Sequence, residues 1–181
     1  MGELFHTGGE SAVVTRFFAG GGVSMRGFSD RRLSPLVLAP PPATQLGAPS
    51  LLTLPIGGNG MYEASAELRW HLTENLSLAV FVDAGQVSRD SLSASDFAST
   101  LWAVGGGLRY RTAIGPIRID VARRLPVGRP PPLFVIDAAT GTVSQLPYAV
   151  NDDCFGFGGS GRSTPVSDGA CVFHIAIGEA F

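Results

Sequence analysis

The sequence predicts an all-β chain that forms part of an antiparallel transmembrane β-barrel. Five segments alternate strictly between apolar and polar residues, which is the period of a strand with one buried face. The segments are about 9 to 12 residues long, whereas soluble strands are typically about five or six, and a tilted strand needs about 9–11 residues to cross a bilayer. Short and long connections also alternate along the chain, as they do on the two rims of an outer-membrane barrel.

Each predicted strand has an apolar face and a face that carries Glu, Arg, Asp, His or Gly. The strands are expected at 61–72, 75–86, 101–112, 117–125 and 172–181, and residues 11–16 are expected to end a sixth. Aromatic residues near the ends of the apolar faces resemble the two interfacial belts of a membrane barrel: Tyr62, Trp70, Trp102, Tyr110, Phe173 and Phe181. A soluble antiparallel sandwich would alternate too, but strand length and the aromatic positions favour the barrel.

The connections divide the chain into an expected loop at 17–60, four strands at 61–125, a long loop at 126–170 and a terminal strand at 171–181. Strand parity puts both loops outside the cell and the C-terminus on the periplasmic side. Within 17–60 the uncharged stretch contains six prolines, which a membrane-spanning helix would not tolerate, so it is expected to be a loop. Within 126–170, residues 133–137 and 142–146 predict a small hairpin.

Composition excludes several classes of protein. Hydrophobic residues are 45% and charged residues 15% of the chain, which is opposite to the balance of a disordered segment. A net charge of −2 argues against general nucleic-acid binding. The first residues lack the basic segment and apolar core of a signal peptide, so an export signal is expected upstream.

Apparent catalytic and ligand-binding motifs carry little weight. The glycines at 156–161 fit Gly-x-Gly-x-x-Gly, but no predicted strand precedes them and no helix follows. The three histidines lack metal-ligand spacing, so neither a metal nor a cofactor is expected. Cys154 and Cys171 lie in or beside one expected extracellular loop, where an oxidising environment favours a disulfide.

Five motifs, in order along the chain, resemble one family. Residues 16–28, RFFAGGGVSMRGF, resemble the inward-folded loop of the BamA/TamA outer-membrane assembly factors, or bacterial surface antigens, with its Arg-Gly-aromatic tip. PIGGNGMYEASAEL, FVDAG, TAIGPIRIDV and the terminal strand resemble later landmarks of the family. The resemblance spans residues 11–181, with Met25 as a conservative departure and the length of the 126–170 loop as a larger one.

The resemblance implies that the chain is the C-terminal portion of a sixteen-stranded barrel, contributing about five to six strands. It implies that Arg26, in the tip Arg26-Gly27-Phe28, is held by inward carboxylates. Fork-shaped recognition of a guanidinium supports this pairing physically. The loop–lumen residues are therefore expected to be Arg26, Gly27, Phe28, Glu67, Phe81 and Asp83. In the terminal strand, the late Gly178 and final Phe181 are expected to form a gate or an insertion signal.

The resemblance further implies a non-enzymatic factor that inserts or translocates proteins in the bacterial outer membrane. Its partners would be unfolded outer-membrane clients and the membrane lipid, with periplasmic POTRA repeats upstream in a full-length parent and no nucleic acid. The alternatives are a two-partner secretion transporter, the barrel anchor of a larger protein, a passive outer-membrane pore or a truncated product without activity.

Overall fold

A computed structural model of the chain describes residues 2–3, 12–39, 52–113, 115–137, 140–146, 154 and 169–178. Strands dominate this part of the chain, and no helix in it is long and apolar enough to cross a membrane. In chain order the strands are β1 (Gly2–Glu3), β2 (Leu36–Ala39), β3 (Leu52–Pro55), β4 (Gly60–His71), β5 (Leu76–Ser88), β6 (Leu101–Thr112), β7 (Gly115–Arg124), β8 (Leu133–Ile136), β9 (Val143–Leu146) and β10 (Cys171–Ile177). The helices are a 3₁₀ turn, Val13–Thr15, and the short α1, Ala94–Ala98.

The main sheet has six antiparallel strands in the order β1-β4-β5-β6-β7-β10. The five long alternating segments of the sequence form β4, β5, β6, β7 and β10, so the predicted all-β antiparallel architecture is confirmed. Tight turns join β4 to β5 and β6 to β7. Within the described residues the sheet is open, with β1 and β10 at its edges.

The expected sixth strand at 11–16 is wrong. Residues Val13–Thr15 instead form one turn of 3₁₀ helix, closed by a hydrogen bond from the Thr15 N–H to the Ala12 carbonyl. The first strand is the two-residue β1, which pairs with the beginning of β4. Ser11 lies outside the described residues.

A second, smaller sheet has the order β3-β2-β8-β9. The predicted hairpin is present as β8 and β9, which pair antiparallel from Leu133–Leu146 to Ile136–Val143. The expectation that the proline-rich 17–60 segment is only a loop is incomplete, because it contains β2 and β3. Strand β2 pairs parallel with β8, so the two expected loops meet in one sheet.

The two faces of the main sheet have opposite character. The outer face carries large apolar side chains that remain exposed to the surroundings of the chain, among them Leu68, Trp70, Leu78, Val80, Trp102, Val104, Leu108, Tyr110, Ile119, Val121, Phe173, Ile175 and Ile177. The inner face carries buried charged residues, including Asp83, Arg118 and Asp120. Residues 18–35, the inner loop, cover part of this inner face.

Candidate functional site

The inner loop folds through a glycine-rich turn. Gly20 and Gly21 have φ of +106° and +105°, in the left-handed region that glycine adopts most easily. The Gly21 N–H donates to the Phe28 carbonyl at 3.0 Å, and the Phe28 N–H donates to the Met25 carbonyl at 3.0 Å. These bonds close a compact tip that points Arg26 at the polar face of the sheet.

Arg26 binds two carboxylates that lie on neighbouring strands. Its Nε donates to Asp83 Oδ2 at 2.8 Å and its Nη2 to Asp83 Oδ1 at 2.6 Å, which is the bidentate geometry that suits a guanidinium. Its Nη1 donates to Glu67 Oε2 at 2.5 Å. The backbone N–H of Arg26 also donates to Asp83 Oδ2, at 3.2 Å. Asp83 lies on β5 and Glu67 on β4, so one loop residue is tied to both strands.

The surroundings of Arg26 keep its guanidinium charged and fixed in position. Burial lowers the pKa of Arg26, but hydrogen bonds and attraction from Asp83 and Glu67 outweigh it, so the pKa lies above its ordinary value. The guanidinium carbon lies 3.3 Å from the centre of the Phe81 ring, a close cation–π contact. Ser65 Oγ accepts from Arg26 Nη2 at 3.0 Å and donates to Asp83 Oδ1 at 2.6 Å. Sequence reasoning missed Ser65, although it shares the inward parity of Glu67.

Gly27 and Phe28 fit the tip against the sheet. A Cβ added to Gly27 would lie 2.4 Å from Ala103 Cβ, so only glycine allows this close approach. Phe28 is buried, and the guanidinium carbon of Arg124 lies 4.7 Å from the centre of its ring. The apolar cluster around it consists of Ala19, Met25, Phe28, Leu33, Val87 and Leu101.

Residues on two further strands contact carbonyl groups of the inner loop. The sequence predicted neither of these contacts. Arg118 on β7 donates to the Gly22 carbonyl. A ring nitrogen of His174 on β10, Nε2, lies 2.9 Å from the Arg26 carbonyl oxygen. The inward parity of both residues was visible in the sequence, but their loop partners were not. The inner loop therefore contacts β4, β5, β7 and β10 through polar bonds.

The other predicted site residues lie towards the C-terminus of the chain. Gly178 directly follows β10 with φ of +106°, and its N–H donates to the Pro116 carbonyl at 2.9 Å. Strand β10 ends at Ile177, and residues 179–181 of the predicted terminal strand, Phe181 among them, lie outside the described residues. Cys154 and Cys171 are joined by a disulfide, and Cys171 is the first residue of β10.

The described part of the chain gives no indication of a metal centre. The described residues contain no group of three or more His, Cys, Asp or Glu side chains that could hold an ion. Their carboxylates at the site are instead bound by arginine. The arrangement can position a loop and fix it against strands.

A comparison with protein families agrees with this architecture. The model of the Omp85 superfamily domain matches residues 2–131, well over half of the chain. The match includes the inner loop and β4 to β7, while β10 lies beyond it. Members of this superfamily are outer-membrane β-barrel proteins that insert or translocate proteins and are not enzymes. The chain therefore belongs to the Omp85 superfamily.

Proposed function

We propose that this chain is the C-terminal portion of the barrel of a BamA/TamA-type assembly factor. It inserts unfolded outer-membrane proteins without enzymatic chemistry and acts at the bacterial outer membrane. In the full-length parent, periplasmic POTRA repeats precede it and deliver the clients. Of the sixteen barrel strands that this assignment implies, the chain supplies the last five or six.

The observation that carries the proposal is the fastening of the inner loop by Arg26. A passive pore needs polar side chains facing its channel, but it has no need of a buried loop arginine with two carboxylate partners. Here Arg26 is 5% exposed and Asp83 is 1% exposed, so both charges have left water. Keeping two such charges costs solvation free energy, which favours a role in holding a particular loop conformation.

The outer face of the main sheet supports the membrane location. Its exposed side chains are largely Leu, Val, Ile and aromatic residues, as lipid contact requires. Trp70 and Tyr110 lie near the end of the sheet that carries the tight turns, and Trp102 lies near the opposite end. This is the distribution of residues that favour the two membrane–water interfaces.

The edge of β10 supports a role in client capture. One side of β10 pairs with β7 over seven residues, and no strand in the described part of the chain pairs with its other side. Free main-chain N–H and C=O groups on a strand edge can pair with an incoming strand. Gly178 then ends the strand with a backbone conformation that suits glycine. We place the gate for clients at this edge.

The test is client insertion into liposomes by the full-length parent, with Arg26→Lys compared with Arg31→Lys. Lysine keeps the charge but removes the planar fork, and Arg31 is an exposed arginine of the same loop. We expect insertion to fall at least tenfold for Arg26→Lys and to remain unchanged for Arg31→Lys, because one of the Arg26 bonds to Asp83 is lost, and each charge-assisted bond contributes about 1.5–3 kcal/mol. Heat-modifiable mobility in gels verifies that both barrels are folded.

Each of three results would contradict the proposal and favour a different function. Ion conductance without any client insertion by the wild-type parent would indicate a passive pore. Export of one dedicated partner, with no general insertion, would indicate a two-partner secretion transporter. Activity that resides wholly in an attached domain would indicate a barrel anchor.

A further inference from the structure

A second polar feature lies at the end of the main sheet that carries the tight turns. Here the inner face encloses a cavity of about 310 Å³, beyond the inner loop. Its walls come from β4 to β7 and the turn between β4 and β5. The charged and titratable residues that line it are Arg69, His71, Glu74, Arg109, Arg111 and Arg118. Four arginines therefore face one carboxylate.

The register of the sheet brings two of these positive charges directly opposite each other. Arg109 on β6 is the cross-strand partner of Arg118 on β7. Like charges in this relationship repel each other. Asp120, fully buried, offsets the repulsion, because Arg109 Nη1 donates to its Oδ1 at 2.5 Å and Arg118 Nε lies 2.9 Å from its Oδ2. One carboxylate thus serves two guanidinium groups.

Glu67 contacts more arginines than Asp120 does. Its two oxygens contact Arg26, Arg69 and Arg109, the last at 3.4 Å. Glu67 is shared with Arg26 of the inner loop, and Asp120 is shared by Arg109 and Arg118, so these two carboxylates supply less negative charge than the arginines of the cavity carry in positive charge. A concave site lined by one sign of charge raises the local concentration of the opposite ion.

Arg111 also lines the cavity. Its side chain is exposed, and within the described ranges no carboxylate contacts its guanidinium. Its backbone N–H donates to the Asn75 carbonyl at 2.8 Å, which fixes its position beside the β4–β5 turn. Arg111 is therefore held in place while its planar donor fork remains available.

We propose that this cavity binds a compact oxyanion, a carboxylate or phosphate group, between Arg111 and the Arg109–Arg118 pair. Arginine suits this ligand because its fork matches two oxygens of either group. The volume admits a small anionic group and not a folded domain. A free phosphate and a carboxylate on a peptide chain present the same chemistry, and the experiment separates them. The inference stands apart from the proposed insertion function, because it is measured without any client.

The experiment is calorimetric titration of the full-length parent, folded in neutral detergent, at fixed ionic strength. The probes are inorganic phosphate, a short peptide with a free C-terminal carboxylate, and the same peptide amidated. Arg111→Gln removes the available fork. Arg123→Gln is the matched control, because Arg123 is an exposed arginine on the opposite face of β7.

We expect saturable binding of phosphate or of the free-carboxylate peptide, and none of the amidated peptide. The affinity should fall about tenfold or more in Arg111→Gln, since charge-assisted hydrogen bonds are lost, and should be unchanged in Arg123→Gln. The anion that binds more tightly shows whether the cavity takes a free phosphate or the carboxylate of a peptide. The proposal is overturned if neither anion binds saturably, if the amidated peptide binds equally well, or if the two variants behave alike.

Discussion

Arg26 and Asp83 form a two-bond fork between the tip of the inner loop and the middle of β5. The guanidinium nitrogens lie 2.8 and 2.6 Å from the two carboxylate oxygens, and both side chains are buried. The pair joins residues 57 positions apart in the chain. A loop fastened in this way cannot leave the inner face without exposing or separating two charges.

Gly27 sets how closely the loop tip approaches β6. We expect Gly27→Ala to displace the tip, because the new Cβ would lie 2.4 Å from Ala103 Cβ. Overpacking of this kind costs about 1–3 kcal/mol, so the midpoint of urea unfolding should fall. Ala103→Gly introduced in the same chain should restore part of the loss, since it removes the opposing methyl group.

The matched control for this change is Gly106→Ala, on the outward side of the same strand. A Cβ there meets only the Ala79 carbonyl oxygen, at 3.4 Å. Its effect on the unfolding midpoint should be much smaller. Equal effects of the two substitutions, or no rescue by Ala103→Gly, would show that close approach of the tip is unimportant.

Asp120 stabilises two opposed arginines, and this makes it sensitive to loss of charge. Asp120→Asn preserves shape but leaves Arg109 facing Arg118 with only the longer contact from Arg109 to Glu67 as a counter-charge. We expect a loss of about 3–5 kcal/mol in the free energy of unfolding, as when one partner of a buried pair is removed. Glu74→Gln, in the exposed turn, is the control and should change stability little. A stability close to wild type for Asp120→Asn would remove the basis of this assignment.

The disulfide ties Cys154 to the first residue of β10. Intact mass under non-reducing conditions should show no free thiol in protein isolated from cells. Replacing both cysteines by serine opens a link between residues 17 positions apart, for which loop-closure entropy predicts a loss of about 3 kcal/mol. Two alkylatable thiols in native material, or an unchanged unfolding midpoint in the double variant, would argue against a structural disulfide.

The free edge of β10 should be needed for client insertion. A disulfide from Ile175→Cys to the facing position in the first strand of the full-length parent should abolish insertion, and reduction should restore it. The control joins Ile175→Cys to Ile119→Cys, since these residues are already cross-strand partners. Both variants are made without Cys154 and Cys171. Full insertion with the edge closed would refute a gate there.

The strands could be predicted because the two-residue alternation of apolar and polar side chains is visible in the sequence. Alternation identified β4 to β7 and most of β10, and it assigned Asp83 and Glu67 to the inward face. The length of these segments distinguished them from the shorter strands that soluble proteins usually contain. The same parity also marked Arg118 and His174 as inward residues, although it could not say what they bind.

Other features could not be predicted, because they depend on contacts between distant segments or are too short to show a period. Strand β2 has four residues between two prolines, and its pairing with β8 joins segments about a hundred residues apart. The short α1 depends on a capping box between Ser93 and Asp96, with too few residues to show a helical period. The contact of His174 with a loop carbonyl follows from the folded arrangement, since no sequence spacing encodes it.

The most direct test of the Arg26 fork is a double-mutant cycle with Arg26→Ala, Asp83→Ala and the double variant. The measured quantity is the free energy of unfolding of the full-length parent in urea. Each single change should cost about 3–5 kcal/mol, because it leaves a buried charge without its partner. We predict a double variant that loses at least about 2 kcal/mol less than the sum of the singles. Losses that add within about 0.5 kcal/mol would contradict the account.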